Sequence, residues 1–111
     1  MKVYKLADMD RGRFVGDFTP TAYKTKDFEV NYRTHIAGEQ WETHYHTKTT
    51  EINLVVKGKM KFNDVILKDG DIFIVEPWQI SDPEFLEDTT VICVRTPSDN
   101  DKQVVSKSSV K

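Results

Sequence analysis

Cysteine is nearly missing from this chain: Cys93 is the only one in 111 residues. An internal disulfide is excluded, and no C-x-x-C spacing exists for a thiolate zinc site. Val91, Ile92 and Val94 put apolar neighbours around the thiol, which predicts a buried, inert group. Long apolar runs are missing too. Nothing approaches the roughly 20 residues of a membrane span, and MKVYKLADMDRGRF lacks the apolar stretch of a secretory leader. A soluble, cytoplasmic protein without a membrane partner is expected. A basic run is equally absent: the formal net charge is -2, which leaves no electrostatic footprint for nucleic acid. Lys57, Lys59 and Lys61 are spaced like strand residues around a turn. No Ser-His-Asp order, phosphate-cradling glycine loop or sustained helical period occurs.

What the chain does have is short alternating segments. Phe28, Val30, Tyr32, Thr34 and Ile36 alternate with Glu29, Asn31, Arg33 and His35, the period-2 signature of a half-buried strand, and Gly38 ends it. Thr50–Lys57 is rich in Ile, Leu and Val; Gly58 turns the chain and Lys59–Phe62 returns. Asn63-Asp64 is a further turn signal, with short strands beyond it at Val65–Leu67 and Asp71–Val75 around Lys68-Asp69-Gly70. Asp69 and Asp71 read as turn chemistry. Glu76-Pro77-Trp78 is a break, Pro83 confines the next segment to an edge strand or loop start, and Thr89–Thr96 is a last strand before Pro97. Many short strands with turn signals every 8–12 residues or so predict an all-β sandwich or barrel. The chain length suits one domain. Residues 1–26 read as an N-terminal extension with a strand at Phe14–Phe18, 27–97 as the barrel, and 98–111 as a polar tail, either flexible or docked.

The chemistry concentrates in one stretch. Two of the three histidines, His44 and His46, stand two residues apart, so on a strand they face the same side. Glu51, on the next stretch, can bring a carboxylate to meet them. Two imidazoles and one carboxylate with open positions suit a divalent transition metal. Taken alone, the same pair is compatible with ordinary histidines on a polar strand.

The spacing G-x5-H-x-H-x4-E-x6-G, carried by Gly38, His44, His46, Glu51 and Gly58, resembles the first motif of the cupin family at every fixed position. That resemblance covers about residues 28–97 and implies an antiparallel β-barrel of jelly-roll type with a divalent metal (Fe, Zn, Mn or Ni) at His44, His46 and Glu51. It also implies a homodimer and a small-molecule ligand or substrate. The second motif, G-x5-P-x-G-x2-H-x3-N, is degraded. Gly70 is in place, but Glu76, Trp78, Ser81 and Phe85 stand at the proline, glycine, histidine and asparagine positions. A fourth ligand then falls to Ser81, to Asp82 if the register slips by one, to the more remote His35, or to water.

Around this motif His35, Asn53, Trp41 and Trp78 are candidate substrate-binding residues, each with a structural alternative. His35 fits an exposed or hydrogen-bonded position on a polar face, and Asn53 fits satisfaction of a buried backbone group. The tryptophans fit the barrel mouth, loop packing or a dimer interface. Arg95 fits a charge at the rim or an interface partner, and Glu76 is a carboxylate available for acid–base work. Three functions are compatible with this pattern. One is a metal-dependent cupin enzyme of dioxygenase, isomerase or lyase type. Another is a non-enzymatic cupin that binds a sugar or organic acid with a reduced or absent metal site. The third is a structural or assembly role.

Overall fold

The computed structural model describes residues 1–105. Two 3₁₀ turns, Leu6–Asp8 and Asp10–Gly12, precede ten strands: β1 (Arg13–Val15), β2 (Glu29–His35), β3 (His44–His46), β4 (Thr50–Lys57), β5 (Lys59–Phe62), β6 (Val65–Lys68), β7 (Ile72–Val75), β8 (Pro83–Phe85), β9 (Thr89–Thr96) and β10 (Lys102–Val104). The all-β expectation holds. Five strands form one antiparallel sheet in the order β1-β2-β9-β4-β7. Opposite it lie a three-stranded sheet, β6-β5-β8, and the pair β10-β3. Reciprocal backbone bonds between His44 and Ser81 join these two into one layer.

Pairing register decides what the two layers enclose. Across the large sheet, Glu29, Arg95, Glu51 and Val75 stand side by side in one row. The next row inward is Asn31, Cys93, Asn53 and Phe73, and the one beyond it contains Arg33, Val91 and Val55. These rows face the opposite layer. The apolar core therefore lies at one end, where Val55, Met60, Leu67, Phe85 and Val91 are buried against each other and Trp41, Phe62 and Phe73 pack onto them. The other end is polar and charged.

The strand at 29–35 is half-buried as its alternation predicts, but its polar side goes in. Glu29 and His35 are buried while Tyr32 and Ile36 are exposed. The enclosed space is lined by side chains that partner one another, and that reverses the usual rule of apolar inside. The outer face of the sheet holds the apolar residues in two aligned rows, Val30-Val94-Ile52-Ile74 and Tyr32-Ile92-Leu54-Ile72.

One strand boundary differs from the sequence expectation. The N-terminal strand is shorter than Phe14–Phe18 because Gly16 leaves the pairing at φ +152. Pro83 does begin a strand; its missing N–H is tolerated at the first position of β8. Past Pro97, the polar segment docks at 101–104: β10 pairs with β3, and Asp101 is buried. Residues 106–111 of that segment lie outside the described residues.

Candidate functional site

His44 and His46 are both buried and both face the space between the layers, as an i, i+2 pair on β3 must. Their ring centroids are 5.4 Å apart and the rings are perpendicular. Each is held at Nδ1. The His44 Nδ1–H donates to the backbone carbonyl of Glu42 at 2.8 Å. The His46 Nδ1–H donates to the Asp101 carboxylate at 2.8 Å. In both rings Nε2 is left for the cavity; that of His46 lies 3.3 Å from a Glu51 oxygen.

Asp101 is the anchor of this end. Its second oxygen accepts the backbone N–H groups of Lys48 and Thr49 at 2.7 and 2.9 Å, so one carboxylate fixes both the β3 imidazole and the β3–β4 turn. Burial alone would push its carboxyl up, but those two amides and the imidazole outweigh burial and hold it well below the usual carboxylate range. Nothing within the motif pointed to Asp101, which lies 55 residues from His46 in a segment that reads as tail.

Arg95 occupies the centre of the charged row rather than the rim. Its side chain is 16% exposed and meets Glu29 at 3.6 Å, Glu51 at 3.4 Å and Asp101 at 3.5 Å. The register explains this, because Arg95 is the direct cross-strand neighbour of both Glu29 and Glu51. Arg95 Nη2 also lies 3.0 Å from His46 Nδ1. That nitrogen already carries the proton given to Asp101, so the guanidinium sits beside the imidazole and shares the same acid.

The two imidazoles are tuned apart. Burial lowers His44 and outweighs its carbonyl partner, so at neutral pH it is uncharged with a lone pair on Nε2. Burial disfavours the His46 cation as well, but the Glu51 and Asp101 carboxylates overcome that and raise it. Glu51 is held down by His46 and Arg95 against a burial effect of opposite sign. Burial drives the Cys93 thiol far up, so it stays protonated, as its apolar neighbours predicted.

The cavity these groups line has a volume of about 220 Å³. The other sequence candidates divide. Asn53 lines it and is buried, and its amide nitrogen has no partner among the described residues. Ser81 lines it too; directly opposed residues of an antiparallel pair point to the same face, so the His44–Ser81 bridge aims Ser81 where His44 points. Its hydroxyl is buried and without a partner among the described residues. Alternation puts Asp82 outside, where its backbone N–H and one carboxylate oxygen bond to Asn63 and Thr43. His35 lines the cavity, buried, bonded to Glu39 at 2.7 Å and stacked on Phe85. Trp41 lines it as well, its Nε1–H donated to Glu39. Trp78 does not: it is 66% exposed and stacks on Tyr45. Glu76 is exposed and away from the cavity.

Among the described residues, no three His, Cys, Asp or Glu side chains close round a common point as they stand. The donor set still fits a divalent transition metal in kind. His46 Nε2 and the Glu51 oxygen are already at the spacing of neighbouring ligands on one ion, roughly 3–3.5 Å for bonds near 2.1 Å. His44 is in the neutral form a ligand needs, and an orphaned hydroxyl lies across from it. What stands against closure is Arg95, pressed on Glu51 from the side, together with the two carboxylates that favour a proton on His46.

No family model and no curated protein matches the chain in sequence. Solved structures do match in shape. A conserved protein with a double-stranded β-helix domain from Klebsiella pneumoniae superposes with a TM-score of 0.66 at 23% identity, over 75% of this chain and 74% of its own. KdgF from Halomonas sp. gives 0.62 at 24% identity, over 69% and 74%. An RmlC-like cupin protein from Ralstonia eutropha gives 0.58 at 16% identity, over 74% and 58%. With the antiparallel layers and the inward-facing polar rows, these likenesses establish that the chain has the double-stranded β-helix fold of the cupins.

Proposed function

We propose that the chain binds a small polar molecule in its cavity through a divalent metal carried by His44, His46 and Glu51. The strongest support is that both imidazoles are fixed at Nδ1 by acceptors, one of them a buried carboxylate, and so present Nε2 inward. A partner on the far nitrogen is how proteins orient imidazole ligands and fix their tautomer. Bound there, the ion supplies Lewis acidity and open coordination positions, and iron, zinc, manganese and nickel all suit this donor set. The chain's own groups have separate tasks. Asp101 orients His46, Arg95 balances Glu29 and Glu51, and Trp41 and Phe85 pack on the His35 ring. Architecture selects no reaction among dioxygenase, isomerase and lyase chemistries. A homodimer belongs to the same reading, supported by the apolar rows on the outer sheet face. A cytoplasmic setting does too, supported by the single buried thiol.

Chelator-stripped protein reloaded with zinc is expected to retain about one equivalent by elemental analysis, and His44→Ala or His46→Ala to weaken retention by roughly tenfold or more. Unchanged metal content in both variants, with the β circular dichroism intact, contradicts the reading.

Two observations favour a second reading, a small-ligand binding protein without metal. Arg95 already neutralises Glu51, and the fourth-ligand position holds Ser81. A ligand-induced rise in melting temperature that survives excess chelator decides for this alternative.

A further inference from the structure

The chain as a whole is acidic, with a formal net charge of -2, yet its cavity is not. Five cationic side chains line it, Arg11, Arg13, Arg33, Arg95 and Lys102, against two carboxylates, Glu29 and Glu51. Three of the cations are spoken for. Arg11 and Arg13 pair with Asp10, and Arg95 with Glu29, Glu51 and Asp101. Arg33 and Lys102 have no carboxylate within 4 Å among the described residues. Both stand over the Trp41 ring instead, at 5.1 and 5.3 Å from its centroid. The nearby acid, Glu39, is taken by His35 and the Trp41 indole.

Two unpaired cations over one aromatic ring form a site for negative charge. A cleft of one sign with low-dielectric walls concentrates counter-charge, and an arginine fork matches a planar or tetrahedral oxyanion. The buried groups of the same cavity add a second, independent indication. Among the described residues Asn53, 6% exposed, has an amide nitrogen with no acceptor, and Ser81, 1% exposed, has a hydroxyl with no partner. Orphans of this kind in a lined cavity are groups that a ligand completes. They call for oxygen functions on the part of the molecule that enters. The volume of about 220 Å³ lies below that of sites for drug-sized ligands and limits the occupant to a small metabolite.

We infer that the cavity takes a small anionic polyol, a hydroxy acid or its phosphate-bearing counterpart. Arg33 and Lys102 hold the anionic group beside Trp41, and Asn53 and Ser81 meet the hydroxyl or carbonyl oxygens. This rests on the reading of the cavity as a ligand site, and it names the ligand's class and two residues that the metal motif does not include.

Isothermal titration calorimetry of the zinc-reloaded full chain separates the possibilities with three probes: gluconate, sorbitol 6-phosphate and neutral sorbitol. One of the two anions is expected to bind at least roughly tenfold tighter than sorbitol, and Arg33→Gln and Lys102→Gln each to weaken it by about tenfold. The better anion tells a carboxylate from a phosphate ester. Zinc uptake by each protein is measured in parallel. Anion binding that depends on Arg33 in a protein that takes up no zinc supports the anion site and removes the metal. Normal zinc uptake overturns the anion site if it is accompanied by equal affinity for sorbitol, by unchanged anion affinity in both variants, or by no anion binding at all.

Discussion

At the scale of single residues, the site depends on side chains that brace others. Asp101 is the clearest case. It is ionised far below its ordinary range because it accepts bonds from two amides and an imidazole. Its contribution to stability is present above the carboxyl's unfolded pKa and is lost as pH falls toward the lowered folded value. Urea unfolding at pH 7 is expected to show Asp101→Asn less stable by about 1–3 kcal/mol. The wild-type advantage should shrink once pH drops below about 4; a gap independent of pH contradicts the assignment. His44, His46 and Glu51 were legible as candidate ligands because spacing along a strand carries facing. Asp101 and Arg95 were not, because their roles are set by which strands lie side by side, and no local pattern encodes that.

At the scale of elements, alternation located the strands well and left open which face of one of them is enclosed. The segment 29–35 alternates cleanly, but period alone does not say which side is enclosed. Here Glu29 meets Arg95 and His35 meets Glu39, and those partners make the polar side the inner one. Short elements were the hardest to foresee. The three-residue strands β3, β8 and β10 owe their existence to neighbours, and β10 forms in a stretch with no apolar alternation at all. The turn into β5 was legible. Gly58 sits at φ +115, and a Cβ there would stand 2.4 Å from the Asp88 carbonyl oxygen. Gly58→Ala is therefore expected to cost about 1–3 kcal/mol in urea unfolding. A change under about 0.5 kcal/mol, the range of an ordinary surface substitution, contradicts the close approach.

At the scale of the whole molecule, the enclosed charge and the apolar outer face are two sides of one register. In the large sheet β2, β4 and β9 send polar residues toward the charged end of the interior and Ile, Leu, Val or Tyr outward, so with β7 rows such as Ile52-Ile74 and Leu54-Ile72 lie open on the surface. Contiguous apolar surface of this kind marks an interaction face, and a second copy of the chain, presenting the same flat rows, is the expected occupant. Sedimentation at micromolar concentration should show a dimer, and Ile72→Lys with Ile74→Lys should give a folded monomer; a wild-type monomer throughout the range argues against it. The central claim remains the ion, and anomalous diffraction from crystals grown with cobalt(II) tests it most directly. The predicted result is one peak about 2.0–2.2 Å from Nε2 of His44, Nε2 of His46 and a Glu51 oxygen. The contradicting result is no peak there, with Arg95 still seated on Glu51.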